Sequence, residues 1–265
     1  MRHPALLVPG CSANAEGPRL LFASAQEKAA KGGEDAHFVL TDGGDSGRKH
    51  SAAGVADGVG GWAQQGVDAG LYSRQLMHWS QHRLEHAEVP CVQDALAFSY
   101  RMTKVMGSST ACLILLHEGV LETLNVGDSG FLLARPGEEG GTENYNVVFK
   151  TTEQQHTFNM PYQLGTYSRD LPADGDFRTL EVRKGDIILV ATDGVWDNVF
   201  EERILKIFEH AGGNLDAAAK EVAETSIRIG MSNEPTPFCA RAQEVGLQHA
   251  GGKLDDVTVV LAHVV

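Results

Sequence analysis

The sequence is poor in positive charge, and this deficit excludes several kinds of partner. Among its 265 residues, 22 Lys and Arg stand against 35 Asp and Glu, which gives a formal net charge of −13 at pH 7. So acidic a chain lacks the basic surface that holds a nucleic-acid backbone or an anionic membrane surface. It also has no apolar run near the ~20 residues that cross a bilayer. We therefore expect a soluble protein with no nucleic-acid partner and no membrane insertion.

Cysteine is scarce as well, and its spacing bears on location. The four cysteines lie far apart and form no Cys-x-x-Cys pair, so a structural zinc site has no support and a reducing, intracellular compartment is expected. Cys112 lies in an apolar run and is expected in the core. Residues 1–18 are rich in Pro, Gly, Ser and Ala and lack the apolar segment of a signal peptide. We expect them to be irregular, and whether a presequence was removed before them stays open.

Short apolar segments recur along the chain and predict strands. The segment 111–117 does not alternate between apolar and polar residues, which predicts burial on both faces. Glu118-Gly119 after it predicts a short hairpin. The predicted strands are Leu20–Ala25, His37–Thr41, Ala52–Ala56, Ala111–His117, Val120–Val126, Phe131–Ala134, Val147–Lys150, Ile187–Ala191 and Val257–Val264.

Helical spacing of apolar residues occurs in fewer places. It predicts helices over 68–86 with Asp68 as N-cap, over 92–106, and over 215–229 with Asn214 as N-cap, and a shorter helix near Glu201. Strands and helices do not alternate regularly, which disfavours a doubly wound parallel sheet. The order fits an α+β fold of antiparallel sheets with helices packed outside, in one domain over 19–265.

Acidic residues stand at the ends of the predicted strands. One Asp-Gly after a strand is ordinary turn chemistry, but five acidic turns beside apolar strands predict carboxylates gathered at one edge. Such a cluster repels itself unless a cation lies between its members, and Mg²⁺ or Mn²⁺ is the natural choice for oxygen ligands. The acidic residues concerned are Glu34, Asp35, Asp57, Asp128, Asp193, Asp197, Asp255 and Asp256.

Six motifs occur in a fixed order across residues 34–260: E-D, D-G-V-G-G, G-S-S-T-A, N-V-G-D-S-G, A-T-D-G-V-W-D and D-D-V-T-V. This set resembles the metal-dependent protein serine/threonine phosphatases of the type 2C family. The resemblance implies a four-layer α/β/β/α sandwich, in which two central antiparallel sheets are flanked by helix pairs. The stretches D-G-V-G-G-W and Glu153–Leu164 are similar to a compact branch whose animal and fungal members are associated with mitochondria.

The resemblance also implies a centre of two Mn²⁺ or Mg²⁺ ions. Asp57 would bridge both ions, and the Gly58 carbonyl would bind one of them. Asp193 and Asp255 would lie on the side of the first ion, and Glu34 in the shell of the second. Asp35, with Glu34, matches the acidic pair that holds metal-bound waters. The residues expected to carry catalysis are Asp57, Asp193, Asp255 and Glu34.

A third, weaker ion is part of the same expectation. Asp128, together with Asp193 and Asp197, matches the position where some members of the family take it up. Asp256 fills a position that is usually Asn, so it is expected to support a ligand or cap a backbone group.

Two positions depart from the family's pattern. Val59 stands where many members have a His that is proposed to protonate the leaving group. Ala30 stands where they have an Arg that contacts the substrate phosphate, so Lys28 or Lys31 would have to substitute. Catalysis then depends on metal positioning and charge neutralisation, with any general acid supplied by metal-bound water or another residue.

The function that the resemblance implies is hydrolysis of phosphoserine and phosphothreonine in proteins, by a metal-activated bridging water and without a covalent intermediate. Phosphoproteins would be the partners, and the chain is expected to be a monomer. Its location is expected to be mitochondrial, with the cytoplasm as the alternative. Two other functions stay open: a catalytically impaired relative that only binds phosphoproteins, and a hydrolase of small phosphoesters.

A few other polar and aromatic residues are considered for a role at the site. Of eleven histidines, His156 is the best candidate for a site role, although a polar loop residue is the plainer interpretation. The hydroxyls of residues 108–110 lead into a buried strand and are expected to be structural. Trp62 and Trp196 each follow an Asp-Gly and are expected to pack beside the site.

Overall fold

The structure is a computed structural model, and it describes residues 18–28, 33–41, 50–137 and 144–265. The expectation of an irregular segment over 1–18 lies outside the described residues, except at residue 18. The strands are β1 (Leu20–Glu27), β2 (Ala36–Leu40), β3 (His50–Ala56), β4 (Ser108–Ser109), β5 (Ala111–His117), β6 (Val120–Val126), β7 (Gly130–Pro136), β8 (Tyr145–Lys150), β9 (Gln155–Thr157), β10 (Met160–Pro161), β11 (Leu164–Gly165), β12 (Asp176–Glu181), β13 (Ile187–Ala191) and β14 (Val257–Val264). The helices are α1 (Ala69–Glu85), α2 (Val92–Met102), α3 (Asp193–Trp196), α4 (Glu201–Ala211), α5 (Leu215–Gly230) and α6 (Pro237–Glu244), with 3₁₀ turns at Gly60–Gln65 and Pro172–Asp174.

Ten of these strands form two antiparallel sheets of five. The first has the order β1-β14-β13-β7-β8 and the second the order β12-β6-β5-β3-β2. Two short pairs, β9 with β10 and β4 with β11, lie outside them. The predicted hairpin between β5 and β6 is present, with Glu118 at φ 51° and Gly119 at φ 80° in its turn.

Three buried apolar layers show how the sheets and helices stack. Cys112 and Ile114 of β5 pack between the two sheets, against residues of the first sheet such as Phe131. Their neighbours Leu113 and Leu115 face the other way, onto α1 and α2. A third layer lies between the first sheet and helices α4 and α5. The alternation along β5 is that of a strand covered on both faces, and the arrangement confirms the four-layer α/β/β/α sandwich and the core position of Cys112.

The predicted helices are present, with one change of length. The Asp68 side chain accepts a hydrogen bond from Gly70 N and Asn214 accepts one from Ala217 N, so both predicted N-caps are confirmed. Helix α2 ends at Met102, not at 106, because Thr103 has extended backbone and donates both its N–H and its hydroxyl to the Ser99 carbonyl. None of the described helices has the length and apolar character needed to span a membrane.

The register of the sheets brings the acidic turns to one end of the sandwich. In the second sheet Ala36 pairs with Ala56, so β2 begins where β3 ends. In the first sheet Ala191, at the end of β13, pairs with both Gly130 and Val259, near the starts of β7 and β14. Each acidic turn singled out in the sequence is attached to one of these strand ends.

Candidate metal centre

Three aspartates form the middle of the acidic cluster. Asp57 directly follows β3, Asp128 lies in the turn between β6 and β7, and Asp193 begins α3 after β13. One carboxylate oxygen from each lies within 4.8 Å of the other two. Asp128 and Asp193 are buried and Asp57 is partly buried. The set of hard oxygen donors, without His or Cys, suits Mg²⁺ or Mn²⁺.

Several buried oxygens in this cluster have no hydrogen-bond partner among the described residues. The Oδ1 atoms of Asp128 and Asp193 are fully enclosed and accept no hydrogen bond from the described residues. Leaving a buried carboxylate oxygen without a partner is costly, and a cation between the side chains would remove that cost. The residues present therefore fit a bound metal ion.

The raised pKa values of the clustered carboxyls also favour a bound cation. Burial, with added repulsion from the Asp193 carboxylate, raises the pKa of Asp57 and of Asp128 well above the ordinary value for Asp. Burial likewise raises the pKa of Asp35 to about 8 and that of Asp255 to about 6. Without a cation, these carboxylates resist being charged together.

The acidic pair before β2 is fixed by backbone contacts. Gly58 N donates to the Glu34 carbonyl at 3.1 Å, and Glu34 N donates to Asp256 Oδ2 at 2.6 Å. A Cβ on Gly60 would lie 2.7 Å from Glu34 Oε2, so the Glu34 carboxylate reaches the loop after Asp57. Asp256 thus caps the backbone of the acidic pair, as its departure from the family's pattern suggested.

The turn that carries Asp57 depends on a glycine and on hydroxyl groups. A Cβ on Gly58 would lie 2.6 Å from Ala69 O and 2.7 Å from Glu34 O, both backbone atoms. Asp57 N donates to Thr110 Oγ1 at 3.1 Å, and that hydroxyl also bonds Ser129 Oγ at 2.7 Å. The Thr110 hydroxyl of the G-S-S-T-A motif therefore holds the aspartate's backbone, which agrees with the structural interpretation.

Asp35 belongs to the same end of the sandwich but is held by Thr192, the residue after β13 of the other sheet. Its Oδ2 accepts a hydrogen bond from Thr192 Oγ1 at 2.7 Å, in the residue before Asp193. Thr192 Oγ1 accepts in turn from Thr258 N at 3.0 Å. These contacts link the start of β2, in the second sheet, to the end of β13 and the start of β14, in the first sheet.

Two basic residues in the centre were not predicted. Lys253 Nζ donates to Asp193 Oδ2 at 2.5 Å and to Asp197 Oδ2 at 2.7 Å, and lies 3.3 Å from Asp255 Oδ2. Burial alone would lower the pKa of Lys253, but the surrounding carboxylates raise it above its ordinary value, so the side chain is an ammonium ion. Arg241 pairs with Asp197 Oδ1 and, at 3.1 Å, with Glu153 Oε1.

These contacts bear on the expected ligands. Both oxygens of Asp197 already accept from basic side chains, which sets Asp197 apart from Asp128 and Asp193 with their unpaired oxygens. Asp255 Oδ1 accepts from Asp256 N at 3.0 Å, and the Asp255 side chain is one-third exposed. The residues expected to bind metal thus share one end of the sandwich. Asp197 differs from the others because both of its carboxylate oxygens accept from Lys253 and Arg241.

The candidates to replace the missing Arg, and the candidate site residue His156, have different surroundings. Lys28 lines a cavity of about 260 Å³ with Arg74 and Asp35, whereas Ala30 and Lys31 lie outside the described residues. Arg74 donates to the Gly33 carbonyl at 3.1 Å and was not singled out in the sequence. His156 Nε2 contacts the Asp170 carboxylate at 3.0 Å, and the ring stacks on Tyr162.

The two tryptophans support the turns of the site. Trp62 Nε1 donates to Ser108 Oγ at 2.7 Å, and Trp196 Nε1 donates to the Ala191 carbonyl at 2.9 Å. Both indole rings are buried. They pack beside the acidic turns, as predicted.

Comparison with known proteins identifies relatives over most of the chain. No family model matches it. The chain is 42% identical over 245 residues to "Probable protein phosphatase 2C 55" of Arabidopsis thaliana, covering 90% of this chain and 49% of the relative. It is 36% identical over 252 residues to "Protein phosphatase PTC7 homolog" of Xenopus laevis, covering 87% of this chain and 80% of the relative. The chain spans about half the length of two of the plant relatives it matches, at 49% and 56%, and 80% of a third.

Solved structures agree with these relatives. The X-ray structure of the photosystem II phosphatase PBCP superposes with a TM-score of 0.81 at 31% identity, covering 92% of this chain and 98% of that one. The catalytic domain of the serine/threonine phosphatase PstP, solved with two manganese ions, gives a TM-score of 0.62 at 20% identity, covering 94% and 99% of the two chains, and shares the fold. A further relative, "Protein phosphatase PTC7 homolog fig" of Drosophila grimshawi, is 35% identical, and the match covers 79% of its length. The chain therefore belongs to the type 2C protein phosphatase family.

Proposed function

We propose that this chain is a metal-dependent protein phosphatase that hydrolyses phosphoserine and phosphothreonine. The observation that carries the proposal is the approach of Asp57, Asp128 and Asp193 oxygens to within 4.8 Å of one another. The unpaired buried oxygens of two of them support a cation at this position. The named relatives are all protein phosphatases, which supports phosphoproteins as the substrate class.

The proposed ligands are those that the family resemblance implies. Asp57 would contact both of two Mn²⁺ or Mg²⁺ ions, with the Gly58 carbonyl and Glu34 on one side and Asp193 and Asp255 on the other. Asp35 would hold a metal-bound water through Oδ1, which is buried without a hydrogen-bond partner among the described residues, while Thr192 holds its Oδ2. Two such ions, when bound, supply Lewis-acid activation of a water and neutralise charge on the phosphoryl oxygens.

The chain's own residues hold this arrangement in place. Asp57 is held at its backbone by Thr110, and the acidic pair is held by Asp256 and Gly58. The Glu153–Arg241 pair borders a cavity of about 650 Å³, which also includes Phe158. A groove with both apolar and charged walls suits a polypeptide that presents a phosphorylated side chain to the centre.

The two other functions left open by the sequence have less support. A protein that only binds phosphoproteins would not need buried carboxylates that repel one another, since such groups cost stability without a cation. A hydrolase of small phosphoesters fits the centre equally well, but the relatives' names give it no support. Substrate preference therefore discriminates between a protein phosphatase and a hydrolase of small phosphoesters.

The test compares a phosphothreonine peptide with p-nitrophenyl phosphate, in Mn²⁺ and in excess EDTA. We expect hydrolysis of both in Mn²⁺, a higher kcat/KM for the peptide, and loss of both activities in EDTA. Full activity in EDTA would overturn the metal dependence. Activity on p-nitrophenyl phosphate alone would support a small-phosphoester hydrolase, and binding of the peptide without hydrolysis would support the impaired relative.

Location and assembly belong to the same proposal. The scarcity of cysteine supports an intracellular compartment, and the similarity to the compact branch supports mitochondria over the cytoplasm. A monomer is proposed from the single domain. Organelle fractionation and light scattering of the purified chain test these two statements.

A further inference from the structure

Lys253 is built into the carboxylate cluster. Its side chain is 21% exposed, and its ammonium group donates to one oxygen of Asp193 and one of Asp197. The nitrogen also lies 5.6 Å from the centre of the Phe238 ring. An ammonium between two nearly buried carboxylates, beside an aromatic face, contributes a fixed positive charge.

The backbone around Lys253 holds it in this place. Lys253 N donates to Asn198 Oδ1 at 2.9 Å, and Asn198 Nδ2 donates back to the Lys253 carbonyl at 2.8 Å. Asn198 is buried and also donates to the Gly194 carbonyl, so it ties Lys253 to the short helix α3, which begins at Asp193. A Cβ on Gly252 would lie 2.2 Å from Ile229 O, which explains why glycine precedes the lysine.

The carboxylate oxygens fall into two groups. Asp193 Oδ2 accepts from Lys253, whereas its Oδ1 is buried and unpaired within the described residues, as is Asp128 Oδ1. Both oxygens of Asp197 accept from basic side chains, Lys253 and Arg241. The Oδ1 atom of Asp193 is therefore available to a metal ion, whereas its Oδ2 atom is already paired with the Lys253 ammonium.

We propose that the Lys253 ammonium is a permanent cation of the centre that takes the place of the third metal ion expected at Asp128, Asp193 and Asp197, because it already pairs with two of these three carboxylates. The proposal rests on the proposed function, since it presumes that metal ions occupy the other side of Asp193. A divalent ion at this place would have to displace a tethered ammonium and leave it buried beside a second positive charge. The chain would consequently bind two ions, and not the two plus a weaker third that the family resemblance implies.

Counting bound Mn²⁺ tests this directly. Equilibrium dialysis over a range of free Mn²⁺ up to several millimolar would be performed on the wild type, on Lys253→Met and on Lys220→Met. Lys220 forms an exposed ion pair with Glu224 on α5, so its replacement removes the same charge away from the centre. We expect two ions per chain for the wild type and for Lys220→Met. Lys253→Met is expected to bind three, the last one weakly.

Thermal unfolding in EDTA provides a second measurement. Lys253→Met should unfold at a lower temperature than Lys220→Met, because Asp193 and Asp197 lose their shared cation, and Mn²⁺ should raise its melting temperature more than that of the wild type. If Lys253→Met does not fold, titration of the wild type alone still decides. Three ions bound by the wild type, or an unchanged count in a folded Lys253→Met, would overturn the inference. Failure to bind Mn²⁺ at all would overturn the proposed function instead.

Discussion

Gly58 offers a sharp test of how the centre is built, because the space around it is closed by backbone. A Cβ at this position would lie 2.6 Å from the Ala69 carbonyl oxygen and 2.7 Å from the Glu34 carbonyl oxygen. Neither atom belongs to a flexible side chain, so Gly58→Ala must push the start of α1 away from the acidic pair. Overpacking of this kind costs about 1–3 kcal/mol. For a chain of this size, that corresponds to a fall in melting temperature of about 2–12 °C.

The same substitution should weaken metal binding. Gly58 N holds the Glu34 carbonyl, and the Gly58 carbonyl is a proposed ligand, so both move when the loop shifts. Loss of such supporting contacts typically lowers metal affinity about 10–100-fold. Gly61→Ala is the matched control, because the closest atom to its added Cβ is Val59 Cγ1 at 4.0 Å. Thermal unfolding in EDTA and Mn²⁺ titration would be measured for both variants. Equal behaviour of the two would refute the reasoning.

Three further predictions follow from the same contacts. Asp57→Asn should lower turnover by several orders of magnitude at saturating Mn²⁺. Its melting temperature in EDTA should be unchanged or higher, because one repelling carboxylate is removed. Near-normal turnover would contradict the assignment of Asp57 as a ligand. Burial raises the pKa of Asp35 to about 8 and that of Asp255 to about 6, so these two carboxyls bind more protons in the folded metal-free protein than in the unfolded chain above about pH 4. The melting temperature of the protein in EDTA should therefore fall as pH rises from about 4 to about 8, and saturating Mn²⁺ should reduce that fall; a rise in EDTA would contradict it. His156→Ala should lower kcat only slightly, and equally on a phosphothreonine peptide and on p-nitrophenyl phosphate, because Nε2 contacts Asp170. A large loss of kcat confined to the peptide would identify His156 as a general acid.

The strand ends that carry the acidic residues were predictable because their signals are local. Apolar segments such as 187–191 mark strands, and the Asp that follows each one marks the turn. Antiparallel pairing then places the end of one strand at the start of its neighbour, as with Ala36 and Ala56. Sequence reasoning could therefore predict the cluster of carboxylates, although it could not supply distances.

The basic half of the centre could not be predicted in the same way. Arg241 lies on α6, 44 residues from its partner Asp197, and only the tertiary fold brings the two together. Lys253 stands two residues before Asp255, so a signal was present in G-G-K-L-D-D, but a single Lys beside a turn is ordinary in sequence. Helix α6 was missed as well, although Thr236 caps it by accepting from Cys239 N and Pro237 begins it.

Several short or edge elements were also missed, among them β12 and the strands β9 and β10. Strand β12 lies at the edge of the second sheet, and its sequence D-F-R-T-L-E is largely polar because few of its side chains face the core. The hairpin of β9 and β10 has strands of only three and two residues, too short for a period to be recognised. The end of α2 was misplaced because the bonds from Thr103 to the Ser99 carbonyl are not visible in a pattern of apolar residues.

The most direct test of the central claim is to locate manganese in the crystal. Diffraction data collected at the manganese absorption edge, from crystals of the active protein grown with Mn²⁺, would show the ions by anomalous scattering. We expect two peaks with Asp57 as a ligand common to both, Asp193 and Asp255 beside one, and the Gly58 carbonyl beside the other. Lys253 Nζ should still contact Asp193 and Asp197. A protein that hydrolyses the phosphothreonine peptide but shows no manganese at Asp57 would contradict the account.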